Sequence, residues 1–180
     1  KNVKTTLAVL ADVKESLKAL IPLIESKTHE SWHNKFKEKY KIEFNAVINE
    51  ELTPTNGGIS MGETIEMINK HSNGDAIIVS DVGQHQMFAC RYAKFNSTKS
   101  NITSGGLGTM GFCLPAAIGA KMGRPDREVV AIIGDGGFQM TIHELGTIFQ
   151  TKVPVKIVVL NNEFLGMVRQ WQELFFDSRY

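Results

Sequence analysis

The chain has 180 residues, 42% of them hydrophobic, and its 20 basic and 19 acidic side chains leave a net charge of +1. That length buries one substantial core with a short appendage. The charge balance gives no case for nucleic acid or an anionic membrane surface, and no apolar run approaches the roughly 18 residues that span a bilayer. Cys90 and Cys113 show neither a CxxC spacing nor a paired framework and read as reduced thiols. Cytoplasm is the simplest location, with an organellar leader ahead of Lys1 left open.

From the N-terminus, Val13, Leu17, Leu20, Ile21 and Ile24 follow a helical period with Asp12 as N-cap, and Pro22 must kink or end that helix. Residues 26–59 read as a charged linker, in which Trp32, Phe36, Tyr40 and Phe44, spaced by four, predict one amphipathic helix used for packing. A compact domain is expected over 60–180, opened by the capping box Ser60-Met61-Gly62-Glu63. The pattern then predicts strand Ala76–Ser80, a helix from Gln86 to Phe95, a short strand Ile102-Thr103 and a helix through Pro115 to Met122. Strand Glu128–Ile133, a helix from Gln139 to Gln150, strand Val155–Leu160 and a helix from Gly166 to Phe176 complete the alternation. The fold class is therefore α/β, a parallel sheet with helices on both faces, preceded by a short helical remnant over 1–25.

Two motifs sit where such sheets bind ligands, at the carboxyl ends of strands. Gly134-Asp135-Gly136 follows one apolar run, and Asn161-Asn162 follows the next. Asp135 offers a carboxylate and Asn162 an amide oxygen, a hard-donor pair suited to Mg²⁺, while the flanking glycines let backbone N–H groups approach phosphate oxygens. Each motif alone also reads as an ordinary turn. Their register on successive strands favours the ligand reading.

These motifs resemble those of a known family. Gly134-Asp135-Gly136 with Asn161-Asn162 is similar to the thiamine diphosphate motif, and the run Thr103-Ser104-Gly105-Gly106-Leu107-Gly108-Thr109-Met110-Gly111-Phe112 resembles the stretch before it in acetohydroxyacid (acetolactate) synthase catalytic subunits. Val82-Gly83-Gln84-His85-Gln86-Met87 and Leu165-Gly166-Met167-Val168-Arg169-Gln170-Trp171-Gln172 match the same family, in the same order.

The resemblance implies a thiamine diphosphate-binding fold and a condensation of pyruvate with pyruvate or 2-ketobutyrate, with loss of CO₂, in branched-chain amino acid synthesis. It implies cofactor contacts at Val82, Gly83, Gln84, His85, Gly108, Met110, Gly134, Asp135, Gly136, Gly137, Asn162, Gly166 and Met167, with Mg²⁺ at Asp135, Asn162 and Phe164. Met110 would be the apolar wedge beneath a bent cofactor, the Gly108 carbonyl would accept from its amino group, and Met167, Val168 and Trp171 would select the second ketoacid. His29, His33, His71 and His143 lack such context and read as structural.

By the same resemblance the chain is a piece of a three-domain subunit, with 1–25 as the tail of a central domain that binds FAD in some members. The family glutamate that protonates the cofactor lies in an absent domain of a neighbouring subunit. A homodimer or tetramer with a regulatory small subunit is therefore expected, and the piece alone should not turn over pyruvate. Gly137 stands where relatives commonly carry Ser, which removes a hydroxyl contact to diphosphate. Two alternatives stay open: another thiamine diphosphate enzyme, such as a pyruvate oxidase or 2-ketoacid decarboxylase, and a non-catalytic binding or assembly module.

Overall fold

The computed structural model describes residues 2–55 and 57–180; Lys1 and Asn56, which fall in the expected 1–25 and 26–59 segments, lie outside the described residues. The chain divides into two units, Lys1–Glu43 and Phe44–Tyr180.

In the first unit, helix α1 (Val13–Leu20) starts where the Asp12 carboxylate accepts the N–H groups of Lys14 and Glu15 at 3.0 and 3.2 Å. Those two donors would otherwise be orphaned at a helix start, which is why Asp serves there. Pro22 ends the α-helix, and Ile21–Leu23 tighten into a 3₁₀ turn. Helix α2 (Glu30–Glu43) occupies much of the segment read as a linker. Trp32 and Phe36 meet edge-on with ring centroids 5.0 Å apart, yet both rings and Tyr40 stay exposed. The four-residue spacing thus makes a surface stripe in this chain, not a packed face.

The second unit opens with a π-helical turn, Phe44–Ile48, and the short α3 (Asn49–Leu52). Helix α4 (Met61–Ser72) begins at the expected N-cap, where Ser60 Oγ accepts from the Glu63 N–H at 2.9 Å and donates to the Glu51 carbonyl. The Tyr92 hydroxyl also binds the Glu51 carboxylate, so α3 is fastened to the domain by two polar contacts as well as by buried Ile48. There follow β1 (Ile77–Ser80), α5 (Gln84–Tyr92), β2 (Asn101–Thr103), α6 (Cys113–Gly123), β3 (Val129–Gly134), α7 (Asp135–Met140), α8 (Glu144–Thr151), β4 (Lys156–Leu160) and α9 (Gly166–Phe175).

The four strands form one parallel sheet in the order β2-β1-β3-β4, with Ile78 opposite Val130 and Ile132 opposite Val158. Strand side chains alternate between faces. Ile78, Val130 and Ile132 therefore pack with Ile65, Ala89 and Tyr92 from α4 and α5, while Ile77, Val79, Val129, Ala131 and Ile133 pack with Cys113, Leu114 and Ala117 from α6 on the opposite face. Helices cover both faces, as the alternation predicts. Chain order reverses direction between β1 and β3, and the crevice above that switch point is where open sheets of this kind take ligands.

Three expectations need correction. Strand β4 is not fully buried: Lys156 and Val159 are exposed and its other residues half-buried, because it is the edge strand among the described residues. Helix α5 begins at Gln84, so Gln84 and His85 belong to a first helical turn and not to a loop. The helix expected over 139–150 is two, since α7 starts directly at Asp135 and Thr141–His143 turn before α8. Neither cysteine is in a disulfide; Cys90 is exposed and Cys113 buried. Among the described residues, no helix is long and apolar enough to cross a membrane.

Candidate functional site

Four segments meet at the carboxyl edge of the sheet and enclose a cavity of about 220 Å³. The segment after β1 supplies Val82 and Gly83 and the first turn of α5 supplies Gln84 and His85; the segment after β2 supplies Gly108 and Met110, and the end of β3 with the first turn of α7 supplies Gly134, Asp135, Gly136 and Gly137. The segment after β4 adds Asn162, Phe164, Gly166, Met167 and Val168. All the cofactor and metal positions expected from the sequence thus line one cavity. Trp171 does not: it lies in a neighbouring groove with Met167, Val168, Gln172 and Phe176, is 60% exposed, and stacks on Phe175 at 4.9 Å. Met167 and Val168 border both spaces.

His85 explains two of the glycines. Its imidazole is buried, and a Cβ at Gly134 would come within 2.8 Å of the ring while one at Gly83, whose φ is +155°, would come within 2.6 Å. Among the described residues, His85 Nε2 has no hydrogen-bond partner. An unpaired buried ring nitrogen costs free energy, and this one belongs to a residue in the wall of the cavity. Burial pushes the imidazole pKa below its ordinary value, and the nearby Asp81 and Asp135 carboxylates only partly oppose this. The unfolded chain then binds the proton more readily than the folded one below about pH 6.5, so His85 contributes stability above that pH and loses it on acidification. The urea midpoint should fall between pH 7.5 and 5.5 by less in His85→Asn than in the unmodified chain; equal falls would show that His85 does not titrate this way.

The asparagines have two duties. Asn161 and Asn162 each accept a backbone N–H two residues on, from Glu163 at 2.9 Å and Phe164 at 3.2 Å, so the plain turn reading holds. Asn162 also donates to Gln84 Oε1 at 3.1 Å, which couples the loops after β1 and β4. Gly166 is needed beside them, because a Cβ there would collide with the Gln84 amide. Arg169 stacks 4.0 Å from the Phe164 ring and binds Glu173 at 2.8 Å, bracing the loop from α9.

Sequence reasoning missed Asp81, Met61 and Leu165. Met61 and Leu165 line the cavity; each stands in a motif, the capping box and the Leu165–Gln172 run, that assigned it no site role. Asp81 is fully buried just past β1 and accepts N–H groups from Val82 (2.7 Å), Gly111 (3.0 Å) and Cys113 (3.0 Å). It also accounts for Gly137, where a Cβ would lie 2.7 Å from Asp81 Oδ1.

The residues fit a diphosphate cofactor with a divalent cation. The His85 imidazole, the Asp135 carboxylate and the Asn162 amide in the cavity wall are donors and acceptors of the right kind, and Gly136, where a Cβ would meet Leu165 and Met110, leaves room beside them. Residues 81–180 match the family described as thiamine pyrophosphate enzyme, C-terminal TPP binding domain. The chain belongs to this family. It is 45% identical over 181 residues to the acetolactate synthase large subunit of Lactococcus lactis, covering 99% of this chain and 30% of that protein. Against acetolactate synthase 1, chloroplastic, of Nicotiana tabacum it is 43% identical over 189 residues, 99% of this chain and 27% of that one. It is 53% identical over 116 residues to the acetolactate synthase isozyme 3 large subunit of Escherichia coli, 64% of this chain and 20% of that one. The chain thus spans less than a third of the length of these relatives.

Proposed function

We propose that this chain carries the diphosphate-binding half of an acetolactate synthase active site, working with thiamine diphosphate and Mg²⁺ on two 2-ketoacids with loss of CO₂ in branched-chain amino acid synthesis. The observation that carries this reading is the convergence of four segments on one switch-point cavity that gathers Gln84, His85, Asp135 and Asn162. The names of the relatives favour the same chemistry over an oxidase or decarboxylase.

In this reading Asp135, Asn162 and Phe164 would hold the cation, which would offset the negative charge of the diphosphate. His85, kept neutral by burial, would donate an imidazole N–H to an anionic oxygen, and Gln84 would do so through its amide N–H while Asn162 holds its Oε1. When bound, the cofactor supplies the carbon nucleophile and the electron sink for decarboxylation. Met110 provides an apolar wall and the Gly108 carbonyl an acceptor. The cavity is smaller than the roughly 300–1,000 Å³ of drug-sized ligand sites, which suits one end of a long cofactor. The other end would lie against a domain of a second subunit, so the working enzyme is a dimer or a higher assembly.

Trp171, exposed beside Met167, is the proposed wall for the second ketoacid. One methyl in an apolar pocket is worth about 1–3 kcal/mol. The full-length protein given pyruvate with thiamine diphosphate and Mg²⁺ should form acetolactate, and with 2-ketobutyrate added should favour the mixed product. Trp171→Leu should erode that preference about tenfold or more. Absence of acetolactate would defeat the functional reading, whereas an unchanged product ratio would remove only Trp171 from it.

A further inference from the structure

We propose that Asp81 is the positioning residue of the cavity: its carboxylate sets the turn that presents Met110. The affinity part of the test rests on the function proposed above. Asp81 cannot itself touch a ligand, since it is fully buried and both carboxylate oxygens are committed to backbone donors. Oδ1 takes the N–H groups of Val82 and Gly111, and Oδ2 takes that of Cys113. A buried carboxylate is costly unless so bound, and once bound its hydrogen bonds are about twice as strong as neutral ones. Filling space alone would call for an apolar side chain.

The three segments that meet at this carboxylate each carry cavity residues. One begins at Val82 and leads to His85; the second holds Met110 and ends at Cys113; the third is the first turn of α7 with Gly137, where a Cβ would lie 2.7 Å from Oδ1. Gly111, with φ +83°, is gripped on both sides, its N–H by Asp81 and its carbonyl by Thr141 Oγ1 at 3.0 Å. That fixes the residue before it. The Met110 methyl stands 3.6 Å from where a Cβ on Gly136 would be, so a shift of the turn moves the Met110 wall relative to the Asp135 loop.

Asp81→Asn preserves volume and one oxygen but sets an NH₂ group against an N–H donor. In this chain, labelled with ¹³C-methyl methionine, the substitution should displace the Met110 resonance while leaving those of Met67 and Met122 in place. The exchange rates of the Gly111 and Cys113 amides should rise at least tenfold relative to those of Ala117 and Ile118 inside α6. Thiamine diphosphate affinity measured with Mg²⁺ should fall at least tenfold. Thr141→Val, which frees only the carbonyl end of Gly111, should move the same methyl resonance and covers the case in which Asp81→Asn does not fold. A Met110 signal unmoved in both variants, or an affinity equal to that of the unmodified chain, overturns the proposal. Should the unmodified chain itself fail to take up thiamine diphosphate, the site needs the second subunit, and the methyl and exchange readings alone decide the role of Asp81.

Discussion

Gly134→Ala will cost this chain its diphosphate site. The substitution is conformationally easy, because Gly134 has φ −82° and ψ 162°, ordinary extended values. The obstacle is steric: the new Cβ lands 2.8 Å from the buried His85 ring, which is hemmed on its other side by Gly83. Overpacking of this kind costs about 1–3 kcal/mol, and relief requires the imidazole to leave the position from which it faces the cavity. Thiamine diphosphate affinity should drop at least tenfold, equivalent to about 1.4 kcal/mol. A double-mutant cycle isolates the cause. His85→Ala in the Gly134→Ala background should restore part of the lost stability, because the clash is gone; strictly additive losses would mean that the two positions do not press on each other.

Ile132→Ala should destabilise the fold more than any single substitution around the cavity. Ile132 is fully buried in β3, one of the two strands flanked on both sides, and packs in the core formed with α4 and α5. Truncating such a residue removes transfer free energy and leaves a cavity, together about 2–5 kcal/mol. Val159→Ala on the edge strand β4, 40% exposed, should cost only about 0.5 kcal/mol. Urea unfolding followed by circular dichroism separates the two. Comparable losses would mean that β4 is covered in solution and that the sheet does not end there.

The strands flanking the switch point were legible because a buried parallel strand must be apolar on both faces, and Ile77–Val79 and Val129–Ile133 are. The exposure of β4 was legible only at Lys156, the one charged residue in Val155–Leu160; the exposure of Val159 follows from the sheet order, which makes β4 an edge. The glycines around Asp135 disguised the start of α7; poor helix formers by propensity, they are held helical by what packs on them. The motif residues pointed to one edge of the sheet, and the cavity gathers them there. Trp171 followed from motif and helical spacing, but its neighbouring groove depends on where α9 departs. Asp81 gave no signal because its work is done through backbone N–H groups of Gly111 and Cys113, and no side-chain pattern records those.

The most direct test of the central claim is calorimetric titration of this chain with thiamine diphosphate, with and without Mg²⁺, beside Asp135→Ala. The account predicts binding that needs the metal and that Asp135→Ala abolishes. Binding that is indifferent to Mg²⁺, or that survives Asp135→Ala, would contradict it.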